Sequence, residues 1–257
     1  MAAAVVGTRS PVIPVPRAAA DDGPGDGRDV EPGPPTGSAA GYQRVLHQLA
    51  RREFRMLAEL AGWAPAAEAP RTAVLTRHAD LVGRVLLHHH AVEREAVWPA
   101  LLRAVPADAV TEASAAVDDT IARCARIDRM LRDVMTAGRQ WAVAGPVAAR
   151  DTFAGACRDL ADAVDAQTAD EERRLLPLVA AHLGADDWAE IARSSRCRLS
   201  GREQMLVLGL ALEDACAADR SRLLGGLPRA TRVAWRTSGA RTYRAAVVRL
   251  RGAPPAA

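Results

Sequence analysis

The chain has 257 residues, of which 49% are apolar and 25% are charged, and its formal net charge is +3. This length and apolar content allow one large hydrophobic core or two modest ones, which excludes a wholly disordered protein. No apolar run reaches the roughly 18 residues of a membrane helix, and the four scattered cysteines suit a reducing cytosol, so we expect a cytoplasmic protein without a membrane partner.

The first segment, residues 1–40, is rich in Pro, Gly, Ala and Asp. Such a composition cannot bury enough apolar surface to offset the entropy lost on ordering, so a disordered tail is predicted. The segment has no basic region followed by an apolar stretch, and no secretory signal is therefore expected.

Four long helices are predicted over residues 41–185. The first runs from Tyr42 to about Gly62, and the second runs from near Pro70, with a kink at Pro99. The third begins at residues 106–108, and the fourth runs from Gly145-Pro146 to about Gly184. Long helices with short connections indicate antiparallel neighbours, so the fold class is all-α, with an up-down-up-down four-helix bundle.

Short helices are predicted over residues 186–252, around 186–193, 204–218, 220–225, 228–237 and 241–250, and residues 253–257 are expected to be disordered. From Arg220 onward the chain has nine Arg and no acidic residue. Such a patch can bind nucleic acid or another anionic surface. No groove-reading motif accompanies it, so we favour a solvated helical cap on the bundle and expect no nucleic-acid partner.

All 34 basic residues are Arg, which we interpret as the codon bias of a GC-rich bacterial genome.

The most informative segment is His88-His89-His90, because His89 precedes Glu93 by four residues. Residues at this spacing share one helix face and can offer two ligands to one metal ion. Gln167, Glu171 and Pro177 repeat the spacing of His89, Glu93 and Pro99. The alternative is a surface ion pair worth a few tenths of a kcal/mol. Against that alternative, Val82, Leu86 and Ala96 lie on the same stripe, which places the pair near the core.

Together, these segments resemble the hemerythrin-like (HHE cation-binding) family, in its actinobacterial form. The resemblance is carried by His47 in Val-Leu-His-Gln-Leu, by Leu-His-His-His-Ala-Val-Glu with Val-Trp-Pro, and by Asp-Glu-Glu with Leu-Leu-Pro. It implies a four-helix bundle with two non-haem irons. It also implies that His47, His89, Glu93 and Glu171 are ligands.

The chain departs from the family pattern at two places. Gln167 stands where the fourth helix has a His, and the third helix has no His; the matching place is near Ile121, with Asp118 and Asp119 one turn earlier. A neutral amide is a weak metal ligand, so the second ion should be the one most weakened. We therefore predict a degenerate site of one or two iron ions on His47, His89, Glu93 and Glu171. Gln167 and His90 are further candidates, His90 because it precedes Glu93 by three residues.

Three functions follow from this interpretation. The leading hypothesis is a metal-binding protein that holds non-haem iron and responds to dioxygen. The alternative is a metal-free scaffold or interaction domain, whose protein partner the sequence does not identify. The third is a di-iron oxidase, but such bundles use Glu-x-x-His pairs, and the sequence contains none, so an enzyme is not expected.

Overall fold

The computed structural model describes residues 39–195 and 197–255. Every regular element in these ranges is helical, and the predicted all-α class is confirmed. The helices are α1 (Ala39–Trp63), α2 (Ala69–Val92), α3 (Trp98–Ala104), α4 (Val110–Ala144), α5 (Val147–Arg174), α6 (Leu176–His182), α7 (Ala185–Ser194), α8 (Gly201–Glu213), α9 (Ala217–Gly225), α10 (Arg229–Ala234) and α11 (Ala240–Arg251). Two π-helical turns, Glu93–Val97 and Trp235–Gly239, join α2 to α3 and α10 to α11. Of the tail predicted for residues 1–40, residues 1–38 lie outside the described residues.

The four long helices pack in a ring, in which α1 contacts α2 and α5, and α4 contacts the same two helices. In each neighbouring pair, residue numbers rise along one helix as they fall along its partner, so neighbours run antiparallel, as the short connections predict. Two contacts establish this for each pair of helices. They are Arg55–Asp162 and His47–Glu172 for α1 and α5, and Glu53–His78 and Gln43–Glu93 for α1 and the segment from α2 to Glu93. They are His90–Asp128 and Gly83–Leu131 for α2 and α4, and Arg123–Asp170 and Gly138–Phe153 for α4 and α5.

Proline and glycine set several helix ends. Gly145 ends α4 at φ 67°, in the left-handed region that glycine adopts readily, and Pro146 precedes α5. Pro99 has no N–H to donate to the carbonyl four residues earlier, and the N–H of Trp98 reaches back five residues to Glu93 instead. The expected kink is therefore a π-helical turn that begins at Glu93.

Three predicted boundaries were wrong. Helix α1 begins at Ala39, because the side chains of Ala39 and Ala40 are buried rather than part of the tail. Residues 106–109 form a turn, so α4 begins at Val110. The fourth predicted helix is interrupted at Leu175, two residues before Pro177, so it comprises α5 and α6.

The apolar core has two parts separated by buried polar side chains. On α1, α2, α4 and α5 the larger apolar cluster contains residues such as Leu57, Leu75, Leu131 and Leu160, and the smaller one lies toward α3 and α6. We call the buried side chains between them the polar layer: Gln43, His47, His89, His90, Glu93, Gln167 and Glu171. Burying so many polar groups costs free energy unless each finds a partner, so the layer requires a chemical explanation.

The segments after the bundle share its core. Val207, Leu210, Leu223 and Leu250 belong to the same apolar cluster as the long helices. Helices α8 and α11 approach so closely that a Cβ on Gly209 would lie 2.2 Å from the Tyr243 ring. Within the described residues, we find no helix with the length and hydropathy needed to traverse a lipid bilayer.

Candidate metal centre

The polar layer is supplied by residues one helical turn apart. Gln43 and His47 lie on α1, His89 lies near the end of α2, and Glu93 is the first residue of the π-helical turn. Gln167 and Glu171 occupy the equivalent positions on α5. Because i and i+4 side chains share a face, the three pairs point into the space between the helices.

His47 is fully buried and lies between two carboxylates. Its Nδ1 is 3.0 Å from Oε1 of Glu172, and its Nε2 is 3.4 Å from Oε1 of Glu171. The ring centroids of His47 and His89 are 5.3 Å apart. A carboxylate on one ring nitrogen fixes the orientation of the imidazole, so the other nitrogen faces the layer.

His89 and Glu93 lie beside each other as the sequence predicts. Nε2 of His89 is 3.2 Å from Oε1 of Glu93, and Gln43 donates a hydrogen bond of 2.8 Å from Nε2 to the same oxygen. Ligand atoms of His47, His89 and Glu93 all lie within 4.8 Å of one another. This group of three buried side chains could hold a metal ion.

Gln167 and Glu171 complete the layer from α5. Gln167 donates a hydrogen bond of 2.6 Å from Nε2 to Oε2 of Glu171, whose other oxygen faces His47. Gln167 therefore directs its amide nitrogen to the carboxylate in this arrangement, and only its carbonyl oxygen could act as a ligand.

Three buried atoms of the layer make no hydrogen bond of good geometry: Nε2 of His47, Oε2 of Glu93 and Oε1 of Glu171, of which the first and the third face each other at 3.4 Å. Buried polar atoms of folded proteins are nearly always paired, so unpaired ones call for an explanation. All three are atoms that bind cations, and imidazole nitrogen with carboxylate oxygen is a donor set suited to iron or zinc. The residues present therefore fit a cation.

The pKa values of the layer depend on one another. Burial lowers the pKa of His47, but the charges of Glu171 and Glu172 outweigh that effect and raise it above its usual value, so a cation would have to displace a proton from this imidazole. Burial, together with the charge of Glu171, raises the pKa of Glu93 well above its usual value. Burial also acts on Glu171, but the charge of His47 outweighs it and lowers the pKa of Glu171 to about 2. Burial and the neighbouring His47 lower the pKa of His89. The raised pKa of Glu93 favours its protonated form, whose proton a cation would displace, and the lowered pKa of His89 favours the neutral imidazole, the form that binds metals.

The remaining sequence candidates lie further from the centre. Nδ1 of His90 is 2.6 Å from Oδ1 of Asp128 on α4, so His90 faces α4 while His89 faces Glu93. Asp118 and Asp119, one turn before Ile121, are exposed and lie outside the polar layer. Ile121 packs against the smaller apolar cluster.

Four residues in or next to the polar layer were not predicted from the sequence: Gln43, Cys124, Asp128 and Glu172. Gln43 precedes His47 by one turn, the same i,i+4 signal that identified His89 and Glu93, and it could have been found. Glu172 and Asp128 could not, since their histidine partners come from other helices. Cys124, buried on α4 between the apolar clusters, lies close enough to Glu93 and Glu171 for their charges to raise its pKa, after the larger effect of burial.

The comparison with known families agrees with this geometry. The family model described as the hemerythrin HHE cation binding domain matches residues 42–179, which include the whole polar layer. The matched segment reaches from α1 into α6, and α7 to α11 lie beyond it. No curated protein and no solved structure gives a significant match.

Proposed function

The chain belongs to the hemerythrin HHE cation-binding domain family, and from this premise we propose that it binds one non-haem iron ion in the polar layer. The observation that carries the proposal is the set of three buried ligand atoms on His47, Glu93 and Glu171 that make no well-formed hydrogen bond. A single cation would satisfy an imidazole nitrogen and two carboxylate oxygens together.

Each residue has a distinct part in this proposal. His47 and His89 would supply imidazole nitrogens, and Glu93 and Glu171 would supply carboxylate oxygens. Glu172 holds His47 in place through Nδ1, at 3.0 Å. Gln43 orients Glu93 by donating to its Oε1. Because the pKa of Glu93 is raised, cation binding would compete with the proton on this carboxyl group.

The donor set supports one ion rather than two. Two imidazoles and two carboxylates are enough ligands for one ion, whereas a second ion would need donors from α4 or from Gln167. On α4, the side chains that interact with the layer are Asp128, whose Oδ1 already contacts Nδ1 of His90 at 2.6 Å, and Cys124, whose thiol pKa is raised by burial and by the nearby carboxylates. Iron held there supplies a ferrous–ferric couple, through which the protein would respond to dioxygen as a sensor or carrier rather than as an enzyme.

The test is the metal content of the full-length protein after expression in iron-rich medium. We expect about one iron per chain, and a loss of about tenfold or more in Glu171→Gln, which keeps the shape of the side chain but removes a charged ligand. His47→Ala should behave in the same way. Far-UV circular dichroism checks that each variant is folded.

The matched control is His182→Ala, because His182 lies in α6 outside the polar layer. This variant should retain the wild-type iron content. Wild-type protein that is folded but carries no iron would contradict the proposal, and so would Glu171→Gln protein with undiminished iron. Two irons per chain would contradict the single-ion form of the proposal.

A metal-free scaffold is the second candidate, and one feature favours it. Gln43 and Gln167 already donate to Glu93 and Glu171, and the raised pKa of Glu93 favours its uncharged form. The layer is therefore partly satisfied by its own groups. If this candidate is correct, the protein purifies without metal, and dialysis against a chelator leaves its helicity and melting temperature unchanged.

A further inference from the structure

Helix α4 carries a buried thiol at the level of the polar layer. Along the inward face of α4, Thr120, Cys124 and Ile127 are buried, and Cys124 is only 4% exposed. Ile127 belongs to the larger apolar cluster and Val117 belongs to the smaller one, whereas Cys124 belongs to neither. Cys124 therefore lies where the apolar packing of α4 is interrupted.

Three contacts fix the level of Cys124 within the bundle. They are Arg123–Asp170 at 3.0 Å and Arg174–Asp119 at 3.1 Å, both between α4 and α5, and His90–Asp128 at 2.6 Å, between α2 and α4. The first two give one register, in which Cys124 lies opposite the turn of α5 from Gln167 to Glu171. The third places Cys124 level with the π-helical turn that begins at Glu93, because Cys124 precedes Asp128 by one helical turn. The thiol thus lies in the same layer as both carboxylates of the proposed centre.

Each of these two carboxylates has an oxygen that makes no well-formed hydrogen bond. The atoms are Oε2 of Glu93 and Oε1 of Glu171, and the two residues are 1% and 0% exposed. Gln43 on α1 and Gln167 on α5 already donate to the other oxygen of each carboxylate. Buried polar atoms are nearly always paired, so a cation that lies between these oxygens and the thiol would complete the arrangement.

The charges that act on Cys124 indicate the same neighbours. Burial raises the pKa of its thiol, and the charges of Glu93 and Glu171 raise it further. Cys157 on α5 is a contrasting buried thiol inside the larger apolar cluster, where burial raises the pKa to about 12. A thiol near two carboxylates keeps its proton, but a bound cation reverses that preference, and a coordinating thiol is deprotonated.

We propose that the thiolate of Cys124 is a fifth donor to the cation of the polar layer. The other four donors are the imidazoles of His47 and His89 and the carboxylates of Glu93 and Glu171. This inference rests on the proposed function, and it adds a donor from α4, the one long helix that otherwise supplies none. The thiol proton is released to solvent as the metal–sulfur bond forms. Thiolate ligands favour ions such as zinc over magnesium and calcium, which prefer oxygen.

The test uses full-length protein that is dialysed against a chelator and then loaded with one equivalent of Co²⁺. A cobalt–thiolate bond gives an intense near-ultraviolet charge-transfer band, which nitrogen and oxygen ligands alone do not give. We expect this band in the wild type and its loss in Cys124→Ala and Cys124→Ser. Both substitutions should also weaken Co²⁺ binding about tenfold or more, because the loss of even an outer-shell partner costs about that much.

The matched control is Cys157→Ala, the same change at a buried helix position outside the polar layer. This variant should keep both the band and the wild-type affinity. Cys216→Ser removes an exposed thiol and should keep the band as well, which tests for adventitious binding at the surface. Far-UV circular dichroism checks folding, and Cys124→Ser, which preserves the size of the side chain, carries the test if the alanine variant does not fold.

X-ray absorption at the zinc edge of Zn²⁺-loaded protein is an independent measurement. One sulfur neighbour at about 2.3 Å is expected in the wild type, and none in Cys124→Ser. Wild-type protein that binds one Co²⁺ without the band would overturn the inference and leave the proposed metal site standing, and so would a band that persists in both Cys124 variants or disappears in Cys157→Ala. Protein that takes up neither Co²⁺ nor Zn²⁺ would overturn the metal site itself, and the inference with it.

Discussion

Glu53 and Glu93 are both buried carboxylates, but their surroundings shift their pKa values in opposite directions. Glu53 accepts from Arg52 at 2.7 Å and from Arg251 at 3.0 Å, and its Oε2 is 2.7 Å from Nε2 of His78. Burial raises its pKa, but His78 and the two Arg residues outweigh that effect and lower the pKa to about 2. Burial also raises the pKa of Glu93, and there the neighbouring Glu171 adds to the effect instead of opposing it. Glu53 already has cationic partners for both of its oxygens, whereas Oε2 of Glu93 makes no hydrogen bond and is free to bind a cation.

Glu53 should make stability depend on acid pH. Its pKa is about 2 in the folded protein against 4.5 normally, so its contribution is complete above about pH 4.5 and is lost as the pH falls toward 2. Glu53→Gln should flatten this part of the pH profile and lower the free energy of unfolding at neutral pH by about 3 kcal/mol, because Arg251 and His78 lose their buried partner. Urea unfolding at a series of pH values measures both effects.

The control for that experiment is Glu95→Gln, whose exposed side chain lies near Arg94 at 3.9 Å. This variant should change the free energy of unfolding by less than about 0.5 kcal/mol and leave the acid profile intact. If Glu53→Gln left the dependence of stability on acid pH unchanged, the lowered pKa of Glu53 would not be the cause of that dependence, and the prediction would be wrong.

At the scale of helices, the crossing of α8 and α11 depends on one residue without a side chain. A Cβ on Gly209 would lie 2.2 Å from Cδ2 of Tyr243, so the ring would have to move. Tyr243 also donates a hydrogen bond of 2.8 Å to Oε2 of Glu213, and displacement of the ring would disturb that contact. The approach of these two helices therefore requires glycine.

We expect Gly209→Ala to lower the free energy of unfolding by about 1–3 kcal/mol, although alanine favours helix formation. The matched control is Gly155→Ala on α5, where an added Cβ meets nothing within 4 Å. That substitution should stabilise the protein by up to about 1 kcal/mol. Thermal and urea unfolding of both variants give the sign, and a stabilised Gly209→Ala protein would contradict the close crossing.

Helices and ligand candidates differ in how far the sequence reveals them. Period-3.6 apolar stripes and the signals at Gly145 and Pro146 placed the four long segments, because these depend on residues near in the chain. The π-helical turn at Glu93 was missed, since its apolar spacing over a few residues resembles that of an α-helix. Glu172 was missed because its role depends on which helix lies opposite His47.

At the scale of the molecule, the bundle and the helices after it share one apolar core. The larger cluster combines Leu57 and Leu160 of the bundle with Leu210 of α8 and Leu250 of α11. Arg251 bridges the two parts, since it contacts Glu213 and Glu53. A shared core and shared ion pairs couple the unfolding of the two parts.

The protein should therefore unfold in one cooperative transition. Far-UV circular dichroism, which reports all helices, should give the same midpoint as the indole fluorescence, which includes Trp98 and Trp141 in the bundle and Trp235 beyond it. The calorimetric and van 't Hoff enthalpies should agree. Two separated transitions would mean that the helices after the bundle fold independently of it.

The link between Glu53 and Arg251 also constrains biosynthesis, since the two residues are 198 positions apart. Ribosomes add about 5–20 residues per second. Glu53 of α1 is therefore synthesised about 10–40 s before Arg251, its most distant ion-pair partner. During that interval the flank that α8 and α11 later cover is open to chaperones and proteases. Translation speed downstream of the bundle thus becomes a factor in the yield of native protein.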